Sequence, residues 1–261
     1  MPDLLAQRKR RGTPLSLFAP ADPHAPLAPP ALEAYWIEPL PDTLVDEQRG
    51  ADPEARYDVH ESVTFAFLSA IQSLPGRQRA VLLLRDVLGW SAGETAEILD
   101  MTVAAVNSAL QRARATMKQG QTDPDTRDPA RDGDEQTTAL LARYVQAWES
   151  ADSAALVALL REDATLSMPP LPAWYRGAAD IQTFLDRHIF VGDGRGRFRL
   201  AATRANGCPA FGMYQYDDGT GIYRPVALHV LTLEDGRITA IDDFLTGDAR
   251  LFSRFGLPPA G

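Results

Sequence analysis

The sequence predicts two domains of different classes, an all-α helix-turn-helix domain followed by an α+β domain. Apolar residues recur at the helical period through residues 55–118, where two N-cap signals are separated by a short turn. Residues 135–254 begin with helical patterns and continue with alternating runs separated by Asn-Gly and Asp-Gly turns. Helices followed by antiparallel strands are typical of the α+β class.

The composition limits the class of protein. Of 261 residues, 45% are hydrophobic, which is enough for packed cores. The sequence contains no run of about 20 apolar residues, which is the length that a membrane-spanning helix needs. The single cysteine, Cys208, leaves no partner for an internal disulfide and rules out a Cys-based zinc cluster. We therefore expect a cytoplasmic protein with no membrane partner, no metal and no cofactor.

The net charge of −9 would argue against nucleic-acid binding if it were evenly distributed. Residues 13–54, however, carry eight acidic side chains and one basic, whereas residues 55–120 carry six acidic and seven basic. The acidity therefore lies outside the segment with the helix-turn-helix pattern, and the overall charge is a weak objection.

Two segments have the composition of linkers. Residues 13–54 contain nine prolines, which interrupt any helical or strand period, so an extended linker is predicted. Within it, Tyr35, Trp36 and Ile37 are apolar enough that we expect them to dock on another part of the chain, Trp36 on either domain. Residues 119–134 are polar and predict a flexible linker.

The strongest local signal covers residues 91–117. Ser91 and Glu94 form a capping box ahead of a short helix. Asp100 and Met101 then form a turn, and Thr102 caps a longer second helix. The residues expected to face inward and hold the two helices together are Ala96, Ile98, Leu99, Met101, Val106 and Leu110.

Helices are also predicted upstream of this motif. The apolar spacing indicates one helix over Ala55–Ser73. Pro75 is placed as a first-turn residue of a second helix, which ends at Gly89.

The outward residues of the motif suit DNA recognition, because small residues at a helix N-terminus let that helix enter the major groove. Asn107 and Gln111 could each contact adenine, and Arg112 and Arg114 could contact guanine or phosphate. The backbone amides from Ser91 to Gly93 could meet a phosphate. The candidate DNA-binding residues are Ser91, Thr102, Val103, Ala104, Ala105, Asn107, Ser108, Gln111, Arg112 and Arg114. The alternatives are a helical hairpin in a bundle and, for the two arginines, simple solvation.

Residues 74–114 resemble region 4 of the sigma-70 family, specifically its extracytoplasmic-function (ECF) group. The resemblance rests on a long motif, which reads Leu74, Pro75, Arg79, Val81, Leu84, Gly89 and Arg112-Ala113-Arg114. It implies that residues 55–118 read the −35 promoter element and contact the flap of RNA polymerase core.

The resemblance also implies a helical region 2 ahead of the linker. Residues 1–12 resemble only the basic tail of that region. We therefore expect that this chain alone does not start transcription.

The second domain, residues 135–254, resembles the SnoaL-like, NTF2-like cone fold, and residues 255–261 are expected to form a tail. The helices predicted first are Gln136–Ser150 and Ser153–Leu160, the latter with its own serine cap; a strand over Ala164–Met168 and a helix over Ile181–His188 follow. The similarity is carried by Trp148, Asp152, Leu156, Leu159, Leu160, Asp163, Ala164, Met168, Pro169, Pro170, Trp174, Gly177 and Ile181.

The resemblance to this fold implies a cavity between sheet and helices. The candidate lining residues are Met168, Trp174, Tyr175, His188, Tyr214, His229 and Asp242, with Tyr216, Tyr223 and Asp243 also considered. Enzymes of this fold use an Asp or His there as a general base. The alternatives are a structural histidine at His229, aromatic residues that belong to the core, and solvent exposure of Asp242 and Asp243.

These observations together predict a sigma factor whose C-terminal domain is regulatory, and not an enzyme. Its partners would be promoter DNA, RNA polymerase core and, in the cavity, a small apolar ligand. The alternative function is an isomerase-like enzyme or a small-ligand-binding protein of the SnoaL and ketosteroid isomerase type.

Overall fold

The computed structural model describes residues 11–31, 35–43, 74–87, 90–120, 135–192 and 194–260. The predicted helix over 55–73, the basic residues 1–10 and most of the predicted flexible linker lie outside the described residues. Within the described ranges, no helix combines the length and apolar character that a bilayer crossing requires.

The described part of the helical domain, residues 74–87 and 90–120, contains three helices. Helix α2 spans Gly76–Leu82 and continues as a π-helical turn over Leu83–Val87, α3 spans Ala92–Ile98, and α4 spans Val103–Gly120. Helix α4 packs against both α2 and α3. The buried core consists of Leu74, Val81, Leu82, Ala96, Val106, Ala109, Leu110 and Ala113, with Leu99 and Met101 partly buried against it.

The predicted caps of this domain are present. The Ser91 hydroxyl accepts from the Glu94 amide at 3.2 Å, and the Glu94 carboxylate accepts from the Ser91 amide at 2.8 Å. The Thr102 hydroxyl accepts from the Ala105 amide at 3.1 Å. Asp100 takes a left-handed conformation, with φ of 51°, at the predicted turn. Pro75 is the N-cap of α2 and so lies one position ahead of the first turn where it was predicted.

One predicted inward residue is wrong. Ile98 is 61% exposed, whereas Thr95 and Ala96 are buried. The face of α3 that meets α4 is formed by positions 92, 95, 96 and 99, and residue 98 lies off this stripe at 3.6 residues per turn.

The sheet domain begins with helices α5, Glu135–Glu149, and α6, Ser153–Val157. Strands β3, Leu160–Ser167, and β4, Trp174–Arg176, lead into helix α7, Ala178–Phe184, and its π-helical continuation Leu185–Ile189. Strands β5, Phe198–Ala205, β6, Cys208–Asp217, β7, Ile222–Glu234, and β8, Arg237–Leu245, follow, and helix α8 is Ala249–Arg254. The six strands form one sheet in the order β4-β3-β8-β7-β6-β5, in which only the β3–β8 pair is parallel.

Turn chemistry explains most of this meander. Asn206-Gly207 and Asp235-Gly236 both have two successive positive φ angles, which is the geometry of a tight hairpin turn.

Asp152, rather than Ser153, caps α6, because its carboxylate accepts from the Ala155 amide at 2.8 Å. Helix α6 ends at Val157, sooner than predicted, and β3 begins at Leu160 instead of Ala164.

Packing occurs on both faces of the sheet. On one face, α5, α6 and α7 cover a core around Tyr144, Trp148 and Phe184. On the other face, α8 and the residues after it cover a second core around Tyr214, Phe244 and Phe252, which reaches Phe255 and Leu257 beyond the predicted boundary at 254.

The N-terminal strap, whose described residues are 11–31 and 35–43, runs over the sheet domain. Strand β1, Arg11–Gly12, precedes helix α1, Pro14–Leu17, and pairs in parallel with β2, Tyr35–Trp36. The amides of Ala21 and Ala31 donate to the carbonyls of Trp174 and Pro170, at 2.8 and 3.0 Å. The segment has little regular structure, as predicted for a linker rich in proline, but it is docked through its backbone.

The end of the strap is fixed to the β5–β6 turn. The Leu40 amide donates to the Asn206 side chain at 2.9 Å, and the Asp42 carboxylate accepts from Arg204 Nε at 3.0 Å and from the Gly207 amide at 2.8 Å.

Ile37 is 6% exposed in the second core, as expected for an apolar residue that docks. The Trp36 ring instead lies 6.2 Å from that of Phe18, within the strap.

Candidate functional site

The exposed face of α4 brings the predicted DNA-contacting residues together. Positions 103, 104, 107, 108, 111 and 112 are all exposed, and Val106, Ala109 and Leu110 are buried on the opposite face. Ala105 is partly buried, and Thr102 and Ser91 are exposed caps. The face combines small side chains near the helix N-terminus with Asn107, Gln111 and Arg112 further along.

Arg114 differs from the other predicted contacts. Its Nε and Nη2 donate to the two carboxylate oxygens of Asp86 at 3.0 and 2.8 Å, a bidentate pair between α4 and the turn that follows α2. The hydrogen bond with Asp86 raises the pKa of Arg114 above its usual value. The Arg114 guanidinium is therefore engaged within the domain although the side chain is 59% exposed, and Arg112 lies exposed on the α4 face.

The start of α3 suits a phosphate less well than the sequence suggested. The Glu94 carboxylate accepts from the Ser91 amide and lies at this helix end. The hydrogen bonds from Ser91 lower the pKa of Glu94, so the carboxylate remains negatively charged. A negative charge at this position opposes a second anion.

The sheet domain encloses a cavity of about 180 Å³ on the helix-covered face of the sheet. Its apolar wall includes Trp148, Leu166, Met168, Phe184, Phe198 and Met213. Its polar lining residues are His188, Arg197, Gln215 and Asp243. Leu27 of the strap also lines it, so the wall is assembled from two parts of the chain.

Three of the predicted cavity residues, Met168, His188 and Asp243, line this cavity. Trp174 lies under the strap, where its Nε1 donates to the Phe18 carbonyl at 2.9 Å. Tyr175 stacks on Phe184 with ring centroids 4.5 Å apart. These two aromatic residues are parts of the core, which was the alternative reading of them.

Tyr214 belongs to the opposite face of the sheet. Its hydroxyl donates to the Pro258 carbonyl at 2.8 Å, and its ring packs against Phe252 in the second core. Burial raises the pKa of Tyr214 to about 12. Its inclusion among the cavity residues is therefore wrong.

His229 lies behind the cavity wall in a fully buried polar cluster. Its Nδ1 shares a hydrogen bond of 2.7 Å with the Tyr144 hydroxyl, and its Nε2 lies 3.4 Å from Oδ1 of Asp243. Neither Nε2 of His229 nor Oδ1 of Asp243 has a hydrogen-bond partner in the described structure. Burial lowers the pKa of His229 to about 3. The imidazole is therefore neutral at physiological pH.

Of the two candidate acidic residues, Asp243 lines the cavity and Asp242 does not. Successive residues of a strand point to opposite faces, and Asp243 is the residue in register with His229. Asp242 instead accepts from the Ser167 hydroxyl at 2.6 Å. Both side chains are buried, so the solvent-exposed reading is wrong for both. Strand alternation counted from His229 would have favoured Asp243.

Burial sets the protonation of both carboxyl groups. Burial, reinforced by the neighbouring Asp242, raises the pKa of Asp243 to about 8. Burial likewise raises the pKa of Asp242 to about 6, against the hydrogen bond from Ser167, which lowers it. At neutral pH the cavity thus contains a largely protonated carboxyl group that can both donate and accept a hydrogen bond.

These features define a helix-turn-helix module joined to an α+β domain that has a cavity between its sheet and its helices. Residues 64–117 match the family of sigma-70 region 4, and residues 141–241 match the SnoaL-like domain family. The chain is 41% identical over 255 residues to the ECF RNA polymerase sigma factor SigG of Mycobacterium tuberculosis, a match that covers 97% of this chain and 66% of that protein. The chain thus spans slightly less than two thirds of the length of that relative.

Two further matches agree with this result. The ECF RNA polymerase sigma factor SigD of Mycobacterium bovis is 38% identical over 85 residues, which cover 33% of this chain and 38% of that protein. The crystal structure of the ECF sigma factor SigJ of Mycobacterium tuberculosis matches with a TM-score of 0.51 at 23% identity, over 79% of this chain and 71% of that chain, and shows the shared fold. The chain is therefore a relative of ECF sigma factors with a sigma-70 region 4 and a SnoaL-like domain, which confirms the predicted fold class and resemblance.

Proposed function

We propose that the helical domain binds duplex DNA as the −35-reading module of an ECF sigma factor, with RNA polymerase core as its protein partner. The observation that carries the proposal is the exposed face of α4, in a segment that matches sigma-70 region 4. The curated relatives SigG and SigD are named as ECF RNA polymerase sigma factors, which supports this function over the isomerase-like alternative.

The residues of the α4 face divide into two roles in this proposal. Val103, Ala104 and Ser108 allow the helix to approach the base edges closely, because their side chains are short. Asn107 and Gln111 have the paired donor and acceptor that adenine requires, and Arg112 can contact guanine or a phosphate. Arg114 contributes by fixing α4 to Asp86.

Fluorescence anisotropy with a labelled −35-type duplex tests the proposal. Affinity should fall steeply as salt rises, because phosphate contacts release counterions. Gln111→Ala should relax base preference, with a loss of about 1–3 kcal/mol on the preferred site, and Arg112→Ala should weaken binding. The matched controls are Gln146→Ala and Arg143→Ala, exposed residues of α5 in the sheet domain. Equal affinity for all four variants and the parent chain, with no salt dependence, would refute DNA reading by α4.

We further propose that the sheet domain is regulatory and acts through the N-terminal strap. The strap precedes the helical domain in the chain, and its backbone and Asp42 bind the sheet domain. A change in this docking would change the position of the segment that leads into the helical domain. A small, largely apolar ligand in the cavity would cause such a change, because Leu27 of the strap lines that cavity.

A further inference from the structure

The charge of the sheet domain is unevenly distributed. Residues 195–224 carry five arginines and two aspartates, whereas the rest of residues 134–261 carries seven basic and fourteen acidic side chains. Three of the arginines, Arg195, Arg197 and Arg199, occupy alternate positions at the start of β5, and all three are exposed. This end of the sheet therefore attracts anions although the domain as a whole is acidic.

The second core covers only part of its face of the sheet. The Tyr214 and Thr203 hydroxyls donate to the carbonyls of Pro258 and Phe255, both at 2.8 Å, so the chain after α8 lies over these two positions. Tyr216 follows two residues after Tyr214 on the same face of β6 and is 40% exposed. Beyond Tyr214 this face of the sheet is therefore open.

Three side chains form a platform on the open part of the face. The guanidinium carbon of Arg199 lies 4.1 Å from the Tyr223 ring centroid, and the Tyr223 and Tyr216 rings meet edge to face at 5.2 Å. The Tyr223 hydroxyl donates to the Gly196 carbonyl at 2.5 Å, and the Tyr216 amide donates to the Arg197 carbonyl at 2.8 Å. The hairpin platform, Arg199, Tyr216 and Tyr223, is thus tied to the arginine-rich stretch.

The positive charges beside the platform are available to a partner. Among the described residues, no carboxylate forms an ion pair with Arg199, which stacks on Tyr223. The same holds for Arg197, which donates to the uncharged Gln215 amide at 3.0 and 2.9 Å when that amide is oriented to suit its neighbours. Arg224 differs, because its Nε donates to Asp217 at 2.7 Å. Arg197 and Arg199 can therefore each meet a phosphate.

The combination of ring, guanidinium plane and unpaired charge distinguishes among anionic partners. Bases of a single strand stack on aromatic rings and on arginine planes, while their phosphates meet the charges. A duplex keeps its bases stacked on one another and presents mainly phosphates to a flat surface. An acidic peptide would likewise use the charges alone. Only a single strand uses the exposed Tyr216 ring as well.

We propose that the hairpin platform binds single-stranded nucleic acid, with bases stacked on Tyr216 and on the Arg199 guanidinium and with a phosphate at Arg197. This site goes beyond the proposed function, because it gives the sheet domain a nucleic-acid contact separate from the α4 face. It does not depend on duplex reading by α4.

Strands with and without bases test the ligand class on the full chain. The probes are a labelled strand of about 12 thymidines, which lies within the usual site sizes of single-strand-binding modules, and an abasic strand of equal length. Fluorescence anisotropy should show at least about tenfold tighter binding of the thymidine strand, because stacking strengthens binding at each base. Equal affinity for the two strands would overturn the proposal. Displacement of the thymidine strand by polyglutamate of matching charge would also overturn it, since any polyanion would then suffice.

Two variants of the β6–β7 hairpin test the aromatic contact. Tyr216→Ala should reduce affinity for the thymidine strand about tenfold and leave the weak binding of the abasic strand nearly unchanged. Ile222→Ala is the matched control, because Ile222 is 43% exposed in the same hairpin but precedes Tyr223 and so points to the opposite face. Unchanged affinity in Tyr216→Ala, or an equal loss in Ile222→Ala, would contradict the assigned contact.

Substitution of Arg199 separates stacking from charge. Arg199→Lys keeps the charge without the planar group, so it should lower affinity for the thymidine strand several-fold and leave the salt dependence unchanged. Arg199→Ala should lower affinity further and reduce the slope of log affinity against log salt by about 0.7. Arg143→Ala, at an exposed arginine of α5, should change neither. Full affinity in Arg199→Lys would show that no base stacks on this side chain.

Substitution of Arg112 separates the two nucleic-acid sites. Arg112→Ala should weaken binding of the −35-type duplex and leave affinity for the thymidine strand unchanged, whereas Tyr216→Ala and Arg199→Ala should have the opposite pattern. Loss of thymidine-strand binding in Arg112→Ala as large as in Arg199→Ala would place the strand on α4 and refute the platform. Loss of duplex binding alone bears only on the proposed function, so failure of either proposal can be distinguished from failure of the other.

Discussion

His229 and Asp243 face each other across strands β7 and β8, with Nε2 of the imidazole 3.4 Å from Oδ1 of the carboxyl group. Both side chains are buried, and burial disfavours the charged form of each. His229, with Tyr144 behind it, faces Asp243, and His188 and Arg197 line the same cavity. The negative charge of the neighbouring Asp242 raises the pKa of Asp243 further. The pair therefore makes a specific prediction about pH.

Stability should fall between pH 6.5 and 8 because of Asp243. Its pKa is raised to about 8 in the folded state, so the unfolded chain has already lost this proton while the folded chain retains it. The stabilisation is complete below the unfolded pKa of about 4 and is lost as the pH rises through 8. Asp242, with a pKa of about 6, completes its titration at the start of this window, and His229, with a folded pKa of about 3, titrates here only in the unfolded chain. Comparison with a variant that keeps both residues removes their contributions.

Chemical denaturation of the parent chain and Asp243→Asn at several pH values measures this effect. The free energy of unfolding of the parent should fall by up to about 2 kcal/mol from pH 6.5 to 8, relative to the variant. The difference between the two chains removes the contribution of exposed histidines. Parallel pH curves for parent and variant would show that Asp243 is not protonated in the folded state.

The Arg114–Asp86 pair should stabilise the helical domain without contacting DNA. Because the pair is largely exposed, Arg114→Ala and Asp86→Ala should each lower stability by only about 0.5 kcal/mol, and the double variant by no more than either alone. Asp86→Ala should leave DNA affinity unchanged or slightly increased, whereas Arg112→Ala should lower it. Thermal unfolding and anisotropy together check the prediction, and a large loss of DNA affinity in Asp86→Ala would argue against it.

The sequence predicted the elements whose signals are local. The Ser91–Glu94 capping box, the Thr102 cap and the Asn206-Gly207 turn depend on a few neighbouring residues, and the structure contains all three. Strand β4, only three residues long, and helix α8 had no comparable signal and were not predicted.

The cavity was harder to predict because its walls come from distant parts of the chain. Leu27 and Asp243 are far apart in sequence, and no local pattern relates a proline-rich segment to a strand. The choice between Asp242 and Asp243 depends on which face of β8 meets the helices, a property of the tertiary packing. Docking of the strap was foreseen only for its apolar cluster, and most of its hydrogen bonds to the sheet domain are made by backbone groups.

Asp42 should hold the end of the strap. Its carboxylate is buried and accepts from Arg204 and from the Gly207 amide, so Asp42→Ala removes an ion pair and leaves a backbone amide without its acceptor. We expect a loss of about 1–3 kcal/mol and faster proteolysis of the strap. Glu38→Ala, at an exposed strap residue, is the matched control. If both variants were cleaved at the rate of the parent chain, Asp42 would not be the residue that anchors the strap.

Substitution of Leu110 should lower the stability of the helical domain much more than substitution of Ile98, although both are apolar residues of the helix-turn-helix. Leu110 is 7% exposed in the core between the helices, so Leu110→Ala should cost about 2–4 kcal/mol through lost burial and the cavity that remains. Ile98 is 61% exposed, so Ile98→Ser should change stability by less than about 0.5 kcal/mol. Denaturant unfolding followed by α-helical circular dichroism distinguishes the two variants. A cost for Ile98→Ser similar to that for Leu110→Ala would mean that Ile98 packs inward in solution, as its place in the sequence suggested.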